Sequence, residues 1–291
     1  MRTIRTSFAL GKNPIREVAF GFVLFLTLSW VYAAQPQEPA YGGRSLTAWL
    51  ALAEERDYPA AAFSNAVTAM GPKIVPWLIE ELDPPATTNQ IHAAGAIAAC
   101  RVLGTNALPA MPALAKRLAQ GYSQAASTLA ALGPEAVPVL ADTLVTMPPQ
   151  CAPQFYTAQA LASFGLQGRG AVTNLALMVE QSKISWVRTS STRALGTIAG
   201  ELAVKEPRCA EVLHTKAVLV KGLAAPEEWL QSATVDAVGN FKTHGSDFAP
   251  KLQRLLIEKQ QRADTETIRK KIEKALEQID PKGVFRTATT T

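Results

Sequence analysis

Cysteine and histidine are scarce in this chain. The cysteines are Cys100, Cys151 and Cys209, and the histidines are His92, His214 and His244. No two cysteines form a Cys-x-x-Cys pair, and no histidine stands at metal-ligand spacing from them, so neither a metal centre nor a cofactor is expected. An odd, sparse cysteine count supplies no disulfide framework. Aromatic residues make up only 7% of the chain and charged residues 18%, whereas 48% is hydrophobic. That apolar share can build a core and argues against wholesale disorder. Strand signals are weak as well. There is no sustained β-branched alternation and no Asn-Gly or Asp-Gly hairpin pair. Charge of one sign is missing from the body of the chain: residues 34–250 hold 15 basic and 17 acidic groups. The net charge of +5 comes from the two ends. A nucleic-acid binder would carry a basic stripe on its working face, so no nucleic acid is expected as partner.

One long apolar run is present. Val18 to Ala34 reads VAFGFVLFLTLSWVYAA, and Arg2, Arg5, Lys12 and Arg16 precede it. As a helix it would reach about 25 Å, marginal for a bilayer. Val31 and Ala33 put small residues at the positions a signal peptidase requires. Residues 1–34 therefore read as a cleaved signal peptide or an uncleaved anchor. A buried helix of a cytosolic protein is the bland alternative. Both leading readings send the rest of the chain out of the cytoplasm, to the periplasm or to the periplasmic face of the inner membrane. Residues 35–44 read as a linker.

The remainder repeats. An apolar stretch, a Leu-Gly or similar step, a polar or proline residue and a second apolar run recur along the chain. The clearest copies are AVTAMGPKIVPWLIEEL at 66–82 and STLAALGPEAVPVLADTL at 127–144. The pivot glycines are Gly71, Gly104, Gly133, Gly165, Gly196 and Gly239, spaced by 33, 29, 32, 31 and 43 residues. This is the period of two-helix solenoid units. Glycine closes one helix in a left-handed conformation, and Pro72 or Pro134 opens the next. The pattern predicts fourteen helices: 46–55, 59–70, 72–82, 89–103, 106–119, 123–132, 134–145, 153–164, 169–181, 186–203, 208–223, 226–239, 246–259 and 264–279. Cys151 and Cys209 then stand about two repeats apart, too far for a bridge, and Cys100 reads as a small buried hydrophobe. The last helix is the most charged and suits a polar cap on the final repeat. Residues 281–291 read as a disordered tail.

The phrase Leu-Gly-x-x-Ala-x-Pro-x-Leu resembles HEAT repeats. Trp186-Val187-Arg188 through Ala194-Leu195-Gly196 is similar to their phycobilisome-lyase subtype. Tyr41-Gly42-Gly43-Arg44-Ser45-Leu46 through Trp49-Leu50 is similar to bacterial exported HEAT-repeat proteins. The resemblance implies an all-α solenoid over 45–280, coiled as a right-handed superhelix, with the second helix of each unit lining a concave groove. Lys73, Glu80, Glu81, Lys116, Arg117, Glu135 and Asp142 would then stand near that groove.

Chemistry is thin. Gly121-Tyr122-Ser123-Gln124-Ala125 falls short of a nucleophile elbow, because no strand precedes Ser123; that serine reads as a helix N-cap. Gly165, Gly168 and Gly170 form no dinucleotide fingerprint and read as an inter-helix turn. Trp49, Trp77, Trp186 and Trp229 read first as core packing, with a partner-anchor role as the alternative. Arg269, Lys270, Lys271 and Lys274, interleaved with Glu266, Glu273 and Glu277, read as a solvated face with i,i+4 pairs, with contact to anionic lipid or nucleic acid as the minor alternative. No catalytic residue is assigned. The expected function is a monomeric, non-enzymatic scaffold for a protein or peptide partner. The runner-up is an enzyme or enzyme partner of the lyase type, and a nucleic-acid-binding solenoid comes third.

Overall fold

The computed structural model describes residues 37–53, 59–83, 92–261 and 265–283. The apolar run at 18–34 and the chain after 283 lie outside the described residues, as do the expected helix ends at 54–55, 89–91 and 264. The chain divides into two units, Met1–Pro39 and Ala40–Thr291, and the second carries the repeats.

This second unit opens with a hairpin inside the expected linker. β1 (Ala40–Tyr41) pairs antiparallel with β2 (Arg44–Ser45) across Gly42 and Gly43. Both glycines have positive φ, 59° and 77°, which lets a two-residue turn follow the strand twist. The sequence carries Gly-Gly here rather than Asn-Gly, and the hairpin departs from the expectation of a plain linker. It orders the Tyr41–Leu50 motif. Ser45 caps α1 (Leu46–Leu52) by accepting a hydrogen bond from the Ala48 amide at 3.3 Å. The Trp49 indole donates to the Tyr41 carbonyl at 3.0 Å, and the Arg44 guanidinium lies 5.3 Å from the Trp49 ring centre.

Thirteen further helices follow among the described residues: α2 (Ala60–Met70), α3 (Val75–Leu82), α4 (Ala93–Leu103), α5 (Met111–Ala119), α6 (Gln124–Leu132), α7 (Ala136–Thr146), α8 (Cys151–Ser163), α9 (Val172–Gln181), α10 (Ser185–Lys205), α11 (Ala210–Leu223), α12 (Glu228–Gly239), α13 (Ala249–Gln260) and α14 (Glu266–Ile279). They stack in two layers. The first helices of the pairs, α2, α4, α6, α8, α10, α12 and α14, pack side by side, and the second helices, α3, α5, α7, α9, α11 and α13, form the other layer. Each second helix packs against the first helix of the next pair, and each layer packs along the array, which is the logic of a solenoid. One apolar seam runs between the layers, from Leu46 and Phe63 through Leu114, Leu140 and Leu195 to Ile272 and Ile279.

The turn chemistry follows the sequence at four of six pivots. Gly71, Gly104, Gly133 and Gly165 all have positive φ. At Gly133 φ is 115°, and its carbonyl accepts from the Ala136 amide as α7 begins. Pro72 opens a 3-10 turn at Gly71–Ile74, while Pro134 sits in the turn ahead of α7. The Gly165–Ala171 run is another 3-10 turn between α8 and α9.

Gly196 and Gly239 depart from the expectation. Gly196 lies inside α10, an uninterrupted 21-residue helix, and is buried. A Cβ there would stand 2.5 Å from both Cα and Cβ of Ala237. Its glycine is thus explained by the close approach of α10 and α12 rather than by a turn. Gly239 ends α12, and Lys242, at φ 49°, supplies the positive φ of the turn that follows. Ile268, Ile272, Leu276 and Ile279 of α14 close the apolar seam, and Glu266 pairs with Lys270 on its solvated side at 2.6 Å.

Candidate docking face

The seven residues expected near a groove all belong to the second-helix layer, its approach turns or its ends. Lys73, Glu80, Glu135 and Asp142 are solvent-exposed. Lys116 reaches across to Asp83 as an ion pair. Arg117 corrects the expectation most sharply: it is buried, 1% exposed. Its Nε donates to the Leu82 carbonyl, its second guanidinium nitrogen reaches the Glu81 carbonyl at 3.4 Å, and the first donates to Gln120 Oε1 at 3.0 Å. Those backbone carbonyls end α3 and have no partner within the helix, so a cation there completes the helix terminus. Arg117 is an inter-repeat staple, not a groove group.

Other staples join repeats in the same way. Asn174 donates to the Ala141 carbonyl at 2.8 Å, and Arg188 Nε to the Val179 carbonyl at 2.9 Å. Arg169, in the 3-10 turn after α8, grips Glu211 with two nitrogens at 2.8 and 3.0 Å and reaches Glu206 at 3.0 Å. The Arg169 hydrogen bonds hold the Glu211 carboxyl down at about 2. Burial pushes the Cys100 thiol up to about 12, consistent with a packing role.

One cleft of about 390 Å³ opens where α9 and α11 meet, lined by Val179, Glu180, Arg188, Val218 and Lys221; three others open on the solvent side of the first-helix layer. Between α6 and α8 a cleft of about 590 Å³ is lined by Gln124, Ser127, Tyr156, Gln159 and Ser163. Between α10 and α12 a cleft of about 350 Å³ is lined by Ser185, Trp186, Thr189, Arg193, Trp229 and Ser232. A third, between α12 and α14, is lined by residues that include Asp236, Asn240, Lys271, Lys274 and Gln278. The side chains stand in register. Trp186, Thr189, Arg193 and Thr197 follow helical spacing along α10; Trp229, Ser232, Asp236 and Asn240 repeat that spacing along α12. A common offset of 43 residues relates the two sets, equal to the last interval between pivot glycines. The face carries an aromatic rim at the helix starts and a polar ladder along the helices.

The tryptophans of this rim overturn the core-packing expectation. Trp49 is buried, as expected, but Trp186 is 63% and Trp229 38% exposed, with Tyr156 at 48%. Phe155 meets Tyr156 edge-on at 5.3 Å and Trp186 at 6.4 Å. Arg188 lies over the Trp229 ring at 5.3 Å while pairing with Glu227 at 3.2 Å. Phe155 thus packs against both Tyr156 and Trp186, and Arg188 against Trp229. Heptad-like position alone could not reveal this, because α10 is apolar or small on nearly all sides.

Ser123 occupies the N-cap position of α6 but makes no capping hydrogen bond with its side chain. It lines the rim of the first cleft. His92 precedes α4, His214 lies exposed on α11, and His244 sits in the 3-10 turn at Lys242–Phe248. Among the described residues no group of three or more His, Cys, Asp or Glu could hold a metal ion, and no helix is long and apolar enough to cross a membrane.

No protein-family model and no curated protein matches the chain. Solved structures with a similar trace include helical-repeat proteins of low identity. A designed armadillo repeat protein in complex with the peptide (KR)4 is 17% identical, with a TM-score of 0.49 over 71% of this chain and 99% of its own. An engineered protein is 21% identical, at a TM-score of 0.41 over 80% of this chain and 95% of its own. The complex of CpcE and CpcF of phycocyanin lyase from Nostoc is 18% identical, at a TM-score of 0.33 over 84% of this chain and 99% of its own. At these identities and TM-scores the likenesses carry no argument about this chain. The two-layer stacking of helix pairs rests on this chain's own packing.

Proposed function

We propose that this chain is a non-enzymatic repeat scaffold that holds a protein segment against its first-helix layer, outside the cytoplasm. The observation that carries the reading is the solvent-facing pair Trp186 and Trp229, aligned with Tyr156 on one face. Large aromatic side chains left in water forgo the burial that makes them favourable. Such residues are also the commonest anchors of protein interfaces. The ladder below them offers amides, hydroxyls and single charges, suited to hydrogen bonding with a backbone.

Selection of random peptides against the full chain tests the binding role. Selected peptides should lose binding in Trp186→Ala and Trp229→Ala while the melting temperature holds. Peptides indifferent to both substitutions would remove this face from consideration. The address is tested separately. Basic residues before 18–34 favour an N-terminus in the cytoplasm and a translocated remainder. An alkaline phosphatase fused at the C-terminus should be active; an inactive fusion with a folded cytoplasmic reporter would overturn the export reading.

A further inference from the structure

We infer that the segment held on this face is acidic and extended, with apolar residues between its carboxylates. The inference rests on the scaffold reading above and adds the chemistry of the partner. Its ground is an imbalance of charge along the face. The part built by α6 and α8 has an uncharged lining of Gln124, Ser127, Tyr156, Gln159 and Ser163. From α10 to α14 the lining carries Arg193, Lys271 and Lys274 against the single carboxylate of Asp236. Both Arg193 and Lys271 turn to the same oxygen of Asp236, at 3.5 and 2.7 Å. One carboxylate cannot neutralise two cations, and Lys274 adds a third with no ion-pair partner among the described residues.

Two positive charges are therefore left over along this part of the face: Arg193 lines the cleft that holds both tryptophans, and Lys271 and Lys274 line the next one, between α12 and α14. The chemistry that satisfies both features is a carboxylate next to an apolar side chain. The apolar group enters the cleft between Trp186 and Trp229, and the carboxylate meets the guanidinium of Arg193, whose planar donor fork suits it. The next acidic residue along the segment reaches Lys274. Four helices, α8 to α14, at about 10 Å between axes span about 30 Å, which an extended chain crosses in about nine residues. A basic segment would place its charge against Arg193 and Lys274 and be repelled.

The test uses the full chain and two fluorescein-labelled decapeptides, alternating Glu-Pro and alternating Lys-Pro. Proline keeps both probes extended and offers a flat apolar ring to the tryptophans. The Glu-Pro peptide should bind, the Lys-Pro peptide should not, and added salt should weaken binding. Trp186→Ala and Arg193→Gln should each reduce affinity by about tenfold, and Lys274→Gln by less. Asp142→Asn, on the other layer, should leave it unchanged. Lys-Pro binding as tight as Glu-Pro, Glu-Pro binding indifferent to Arg193→Gln, or no Glu-Pro binding at all would overturn the inference. The peptides selected at random separate the two claims. If they depend on Trp186 but are basic or neutral, the acidic partner is wrong and the scaffold stands. If none depends on the tryptophans, the scaffold reading falls too.

Discussion

Replacing Gly196 by alanine sets two effects of opposite sign against each other. Alanine is the better helix residue, by about 0.5–1 kcal/mol in a helix interior. On propensity alone the variant would gain stability. The packing opposes this. The new Cβ would lie 2.5 Å from Cα and Cβ of Ala237 and 2.8 Å from its carbonyl oxygen. Carbon atoms prefer about 3.5–4.0 Å, so α10 and α12 would have to part by about 1 Å. These are backbone and Cβ atoms with no rotamer to yield. Overpacking of this kind costs about 1–3 kcal/mol. The net expectation is a loss of about 1–2 kcal/mol, a fall in melting temperature of about 2–8 °C for a domain of this size. Gly170→Ala is the internal control. Its nearest neighbour would be Val137 Cγ1 at 4.0 Å, so it should melt at the same temperature or slightly higher. Thermal unfolding followed by circular dichroism on both variants decides the matter. A Gly196→Ala variant that melts at or above the parent temperature would refute the close approach of α10 and α12.

Three further outcomes rest on the same packing. Gly133→Val forces a branched residue into φ 115°, where a Cβ also meets Glu135 Oε2 at 2.8 Å; it should cost more than about 1 kcal/mol in chemical denaturation, and an unchanged midpoint would contradict the turn. Arg117→Met keeps the volume but leaves the carbonyls ending α3 without a donor, so it should lose about 1–3 kcal/mol, read in the same assay. The Arg169–Glu211 clamp should be pH-sensitive. The Glu211 carboxyl is depressed from an ordinary value near 4.5 to about 2 by its hydrogen bonds to Arg169, so its contribution is complete above about pH 4.5 and is lost as pH falls toward 2. The melting difference between the parent and Glu211→Gln should therefore be largest near neutrality and shrink below pH 4; a difference independent of pH would disprove the clamp.

Local chemistry was enough to locate the helices and most turns. All fourteen expected helices have a counterpart, because periodic apolar residues, helix-closing glycines and helix-opening prolines act over a few neighbouring residues and leave their mark in order along the chain. Burial of Cys100 was legible for the same reason. What the sequence left open is which surfaces meet. Gly196 carries the same signal as Gly133, yet one sits mid-helix against Ala237 and the other turns the chain; only the approach of α10 to α12 separates them. Arg117 reads as a surface cation until α3 is seen to end beside it. Trp186 and Trp229 have the composition of core residues, but the stacking of α8, α10 and α12 points them outward. A two-layer array buries only the seam between its layers. The opposite side of each first helix faces solvent whatever its residues, and the tertiary arrangement alone turned scattered aromatics and single charges, far apart in sequence, into one continuous face.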